Sequence, residues 1–192
     1  MDVNEILRDY LNDILGVEKH CLEAVERHTG DERYSTYPDA HGVLLNIETT
    51  LRSHVSALDR CLSSLDGGVE SVIKKAAASA IGALSGIYDK IRPEDPVSRG
   101  LRDFFTTLSH AAIGYTMLYT TACALNEQEV SDLALRHLNE LTPLIVGLSR
   151  VIPSVVSKEL EIEGKVIDGS KWRLAIANTQ KAWSSDVVGK YH

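Results

Sequence analysis

Residues 96–125, PVSRGLRDFFTTLSHAAIGYTMLYTTACAL, decide the fold class. Leu101, Phe104, Leu108, Ala111, Tyr115, Leu118, Ala122 and Leu125 recur at spacings of three and four, the period of one helix face rather than the alternation of a strand. Pro96 suits the first turn of a helix, where its missing N–H is one that would go unpaired anyway. The spacing therefore predicts one helix over 97–126, about 40 Å long at about 1.5 Å per residue. A helix of that length with a single apolar face needs other long helices to cover it.

The rest of the chain offers them. Over 3–28, Leu7, Leu11, Ile14, Cys21, Leu22 and Val25 form one stripe with Glu18 inside it. The stretch HTGDERYSTYPDAHG, with Gly30, Pro38 and Gly42, reads as a loop. A second helix is expected from about Val43 to Leu65, with Leu44, Ile47, Leu51, Val55, Leu58 and Leu62 as its stripe and Glu48 and His54 at the borders. Between DGG at 66–68 and the proline-bearing RPEDP at 92–96, residues 69–91 carry small apolar side chains in helical register and read as an extra helix. A last long helix is expected over 128–159, with Val130, Leu133, Leu141, Leu144 and Leu148 on one face. Pro143 and Pro153 inside it predict a kink or a break at each.

Beyond residue 160 the composition changes. LEIEGKVIDGS is β-branched and glycine-bearing, while KWRLAIANTQKAW suits a short helix carrying Trp172 and Trp183. The expected architecture is all-α: an up-down four-helix bundle over 1–158, with one extra helix between the second and third. A C-terminal extension, 159–192, would pack on the bundle or on a neighbouring subunit.

Composition narrows the function. The chain has 192 residues, 44% hydrophobic and 24% charged, enough for one sizeable domain. Its 20 Lys and Arg against 27 Asp and Glu give a net charge of -7 with no basic stripe, which argues against nucleic acid as a partner. No apolar run approaches the roughly 20 residues of a membrane span, and the start MDVNEILRDYLND is polar, so no membrane and a cytoplasmic location are expected. Cys21, Cys61 and Cys123 lie in helical patterns with no C-x-x-C pair and read as reduced core thiols.

Phosphate-loop, nucleophile-elbow and H-E-x-x-H motifs are absent from the sequence. The chemistry-bearing residues are instead ionisable groups on or beside the apolar stripes: Glu18, Glu48, His54, His137 and Glu140. A di-iron centre in a helical bundle uses carboxylates to neutralise and bridge two cations and histidines to complete their coordination, with Glu-x-x-His pairs on two of the helices. RHLNEL at 136–141 sets His137 and Glu140 three apart on one face, but in the reverse order. Leu51, three after Glu48, cannot ligate, and the third long helix has no carboxylate between Asp103 and Glu127. His110 faces another side, towards Ile113, Gly114 and Met117. Each candidate also has a plain alternative: a border carboxylate paired with Lys or Arg, a hydrogen-bonded core histidine, or an i, i+3 surface pair. Tyr115 and Tyr119 read as a packing pair.

YLNDILGVEKHCLEAV (10–25), NIETTLRSHVSALDRCL (46–62), the 96–125 stretch and LALRHLNELTPLIVGLSRVIPSVV (133–156) together resemble the YciE/YciF-type ferritin-like proteins, a bacterial group linked to stress responses. The resemblance covers most of 1–158 and rests on helix order and spacing. It implies a four-helix bundle, usually dimeric, with carboxylate and histidine ligands in its core. Glu18, Glu48 and Glu140 match acidic positions of the family, whereas Ser109 and Ala112 stand where its third helix carries acids. The expectation is a stress-associated homodimer with a degraded metal site, no catalytic residue, no resident cofactor and no efficient catalysis. Two other classes stay open: an iron- or manganese-dependent oxidoreductase or iron-binding protein using Glu18, Glu48, His54, His137 and Glu140, and a helical scaffold for protein partners.

Overall fold

The computed structural model describes residues 2–65 and 95–182. Among them are five α-helices, a short 3-10 turn and no strand: α1 Val3–Thr29, the turn Glu32–Thr36, α2 Pro38–Leu65, α3 Val97–Leu125, α4 Gln128–Ile162 and α5 Gly169–Ala182. The expected extra helix at 69–91 lies outside the described residues, as does Trp183.

The four long helices share one pattern of burial. In α1 the buried positions include Leu7, Leu11, Ile14, Glu18, Cys21, Val25 and His28, an alternation of four and three residues. In α2 they include Ala40, Leu44, Ile47, Leu51, His54, Leu58 and Cys61. In α3 they include Val97, Leu101, Phe104, Leu108, Ala111, Tyr115, Leu118 and Ala122. α4 buries Val130, Ala134, His137, Leu141, Leu148 and Val155 in the same rhythm. That rhythm puts the residues of one seam on the side facing the neighbouring helices, as in knobs-into-holes packing. The result is a helical bundle in which α1 packs on α2 and α3, and α4 on α3 and α2. Each fully buried Leu contributes on the order of 2 kcal/mol through removal from water.

Local signals set the helix ends. Pro38 opens α2 at its first turn, so the helix starts five residues before the expected Val43. The preceding turn is tied by the Asp31 carboxylate, which accepts from the Arg33 backbone N–H at 2.9 Å, and it buries Tyr34. Asn126 closes α3 in the left-handed region (φ 61°), where a short polar side chain is tolerated. The Ser98 N–H at the start of α3 donates to Glu159 Oε1 of α4 at 2.9 Å, so a carboxylate of one helix caps the positive end of another. At Gly114 an added Cβ would lie 2.9 Å from Ile14 Cγ1, which makes glycine the condition for the close approach of α1 and α3.

One expectation needs correction here, that Cys123 is a core thiol, and one is narrowed: α4 runs to Ile162 with no break at Pro143 or Pro153. Pro143 and Asn139 are both exposed, so the carbonyl that Pro143 cannot serve faces water. Cys123 is exposed, unlike buried Cys21 and Cys61, because it sits one residue off the α3 seam, next to buried Ala122. Among the described residues α4 is also the one helix long and apolar enough to cross a membrane by length and composition alone. Its Leu133, Leu141 and Leu148 face is buried in the bundle.

Candidate functional site

Glu18 of α1, His54 of α2, Tyr115 of α3 and His137 of α4 each occupy a seam position of their own helix. They meet in one polar layer between apolar ones. His54 is its centre. Its Nδ1 lies 3.1 Å from Glu18 Oε1 and its Nε2 2.7 Å from Glu140 Oε2. The His54 and His137 rings stack in parallel with centroids 3.7 Å apart, and His137 Nδ1 lies 2.8 Å from the Tyr115 hydroxyl. Glu18 and His54 are fully buried, whereas the Glu140 side chain is 47% exposed, so the layer opens to solvent on the Glu140 side.

The proton count follows from geometry. Each His54 nitrogen faces a carboxylate oxygen, and a carboxylate has no hydrogen to give unless it is itself protonated. Both bonds exist together only if the trio Glu18–His54–Glu140 holds one proton more than two carboxylates and a neutral imidazole. Its net charge is then -1, whichever member carries that proton. Burial draws the His54 pKa down, but Glu18 and Glu140, by hydrogen bond and charge, together carry it above the ordinary value. Burial pushes Glu18 up, opposed by its bonds and attraction to His54. Both directions favour retention of the shared proton.

His137 is the opposite case. Burial, the neighbouring His54 charge and Arg136 pull it down to about 3, so it is neutral beside its stacked partner. Burial and the charge of Glu18 hold the Tyr115 phenol well above its ordinary value, so it keeps its proton. The phenol and His137 Nδ1 share one hydrogen bond, and the tautomer of His137 sets which of the two donates. Glu18 Oε2 is buried with no hydrogen-bond partner of ordinary length, while hydrogen bonding from the nearby Tyr115 phenol draws the Glu18 pKa down. Next to Glu18, Cys21 has its thiol pushed well above the usual range by burial and by that carboxylate, and it is chemically quiet.

Of the five expected site residues, the structure brings together four: Glu18, His54, His137 and Glu140. Glu48 stands apart. It accepts from the Thr29 hydroxyl at 2.9 Å and pairs with Arg52, which also reaches Glu26. Residue 48 follows seam residue Ile47 by one, a rotation of about 100° that turns it off the seam. Ser109 spends its hydroxyl on the Phe105 carbonyl of its own helix. Tyr115, read from sequence as packing, belongs to the layer. A buried tyrosine hydroxyl needs a partner, and that requirement was the available signal.

Both His54 nitrogens are taken up by carboxylates, and no group of three or more His, Cys, Asp or Glu side chains among the described residues is arranged to hold an ion. The chain matches no protein-family model, no curated protein and no solved structure.

Proposed function

We propose that the chain is a ferritin-like, up-down four-helix bundle of the YciE/YciF type, and that its inner polar layer holds a proton on His54 where such bundles hold metal ions. In this reading it is a cytoplasmic, stress-associated, non-catalytic bundle. The observation that carries it is the double engagement of His54, at 3.1 Å to Glu18 and 2.7 Å to Glu140. A cation could reach either nitrogen only by displacing that proton and breaking a buried ion pair, which costs on the order of 3 kcal/mol or more. Loss of acids at Ser109 and Ala112 points the same way, since two divalent ions would lack compensating charge.

Anaerobic titration with Fe(II) or Mn(II), followed by elemental analysis, tests the reading. Sub-stoichiometric metal and an unfolding midpoint unmoved by chelator are expected. One tightly held ion per chain, lost on Glu18→Ala, would overturn it. One observation favours that second reading, a mononuclear metal-dependent oxidoreductase: Glu18 Oε2 is a buried carboxylate oxygen without a partner.

A further inference from the structure

At one end of the bundle lies a groove of about 410 Å³ whose floor is apolar, formed by Tyr37, Val97, Val156 and Leu160. Asp95, Glu159 and Glu163 line its rim, Asp95 paired with Arg99 at 3.0 Å and Glu159 capping Ser98, and among the described lining residues Arg33 is the cation, held by Asp31 at 2.6 Å. The rim is thus acidic around an apolar floor. No residue of α5 lines the groove of its own chain.

α5 has the complementary chemistry. Trp172 and Ile176, one turn apart, are half-buried, and the main contact of the helix is α4. The opposite side carries Leu174, 56% exposed, among Lys171, Arg173 and Lys181. A helix of 14 residues, about 21 Å long, is marginal in water when only one narrow face is covered. Its half-buried side is Trp172 and Ile176, with the Arg173 guanidinium 6.0 Å from the Trp172 ring, and Leu174 and Lys171 are left on the exposed side. They match the groove in both respects: an apolar knob for an apolar floor, and positive flanks for an acidic rim.

We infer that α5 of one copy docks through Leu174 into the groove of a second copy, with Lys171 and Arg173 against Glu159 and Glu163, and that the exchange is reciprocal. Two identical helix–groove contacts related by a two-fold axis close the assembly as a homodimer. Opposite charges across the rim steer the encounter and make it weaken as salt rises.

Sedimentation of the full chain tests this. The wild type is expected to be a dimer at micromolar concentration. Leu174→Asp on the helix and Leu160→Asp on the groove should each weaken dimerisation at least about thirtyfold, the effect of losing a buried anchor. Far-UV circular dichroism should keep the signal of the four long helices and lose at most that of α5, and the charge variant Lys171→Glu/Arg173→Glu should repeat the effect without touching an apolar residue. An equimolar mixture of the Leu174→Asp and Leu160→Asp chains should recover dimer, because one intact helix then meets one intact groove. A monomeric wild type, variants that dimerise like wild type, or a mixture that stays monomeric would each overturn the inference.

Discussion

Replacing His54 with Leu isolates the buried charge. The side chain is fully buried between Glu18 and Glu140, and its loss leaves the Glu18 carboxylate, also fully buried, with neither oxygen bonded to His54. Glu18 then escapes an unpaired buried charge by taking up a proton. From its ordinary value of 4.5 that protonation costs about 3 kcal/mol at pH 7 and under about 1 kcal/mol at pH 5. Wild type changes less over the same range. Its His54 pKa is raised on folding, so that group's stabilisation is complete below the unfolded value near 6.5 and is lost as pH rises through the folded value. Between pH 7 and pH 5 this gives wild type less than about 1 kcal/mol, so the penalty of His54→Leu should shrink by about 2 kcal/mol. Urea unfolding followed by circular dichroism at the two pH values measures it. The double variant Glu18→Gln/His54→Leu should show a penalty that varies much less with pH. A His54→Leu penalty equal at pH 5 and pH 7, or larger at pH 5, would refute the shared-proton account.

Two further tests concern neighbouring groups. Tyr115→Phe leaves His137 Nδ1 buried without its 2.8 Å partner and should cost about 1–3 kcal/mol in the same unfolding assay, whereas Tyr119→Phe, on a partly exposed residue, should stay within about 0.5 kcal/mol; equal costs would remove Tyr115 from the layer. A thiol reagent applied to the native chain should label Cys123 quickly and leave buried Cys21 and Cys61 untouched until urea is added. Fast labelling of Cys21 would contradict its place beside Glu18.

The helices were legible because apolar residues repeat at helical spacing through each of them, and a period needs no knowledge of neighbours. The site was legible only in part. Reading His54 as a border residue followed from counting apolar side chains alone. Counting the strict alternation Ile47, Leu51, His54, Leu58 places it on the seam, and the same count through Leu108, Ala111, Tyr115, Leu118 places Tyr115 there. Glu48 illustrates the converse, a carboxylate next to the seam that finds Arg52 and solvent instead. What no periodicity encodes is which seam residues meet at one height. That depends on the relative positions of four helices, set by contacts such as Gly114 against Ile14 and by the caps that fix where each helix begins.

The composition of the polar layer then explains its own charge. α3 contributes Tyr115, which is neutral, and α4 contributes His137, which burial and the His54 charge keep neutral. Only α1 places a carboxylate fully inside, while the Glu140 carboxylate is nearly half in water and needs little internal compensation. One buried negative charge asks for one positive charge, and a proton on His54, set on the facing helix, supplies it. With that proton the trio Glu18–His54–Glu140 stands at -1, and the remaining negative charge lies on the solvent-facing Glu140 side. The lack of a carboxylate at Ser109 and Ala112 and the double engagement of His54 are therefore two sides of one electrostatic balance: the one fully buried carboxylate is paired by one proton.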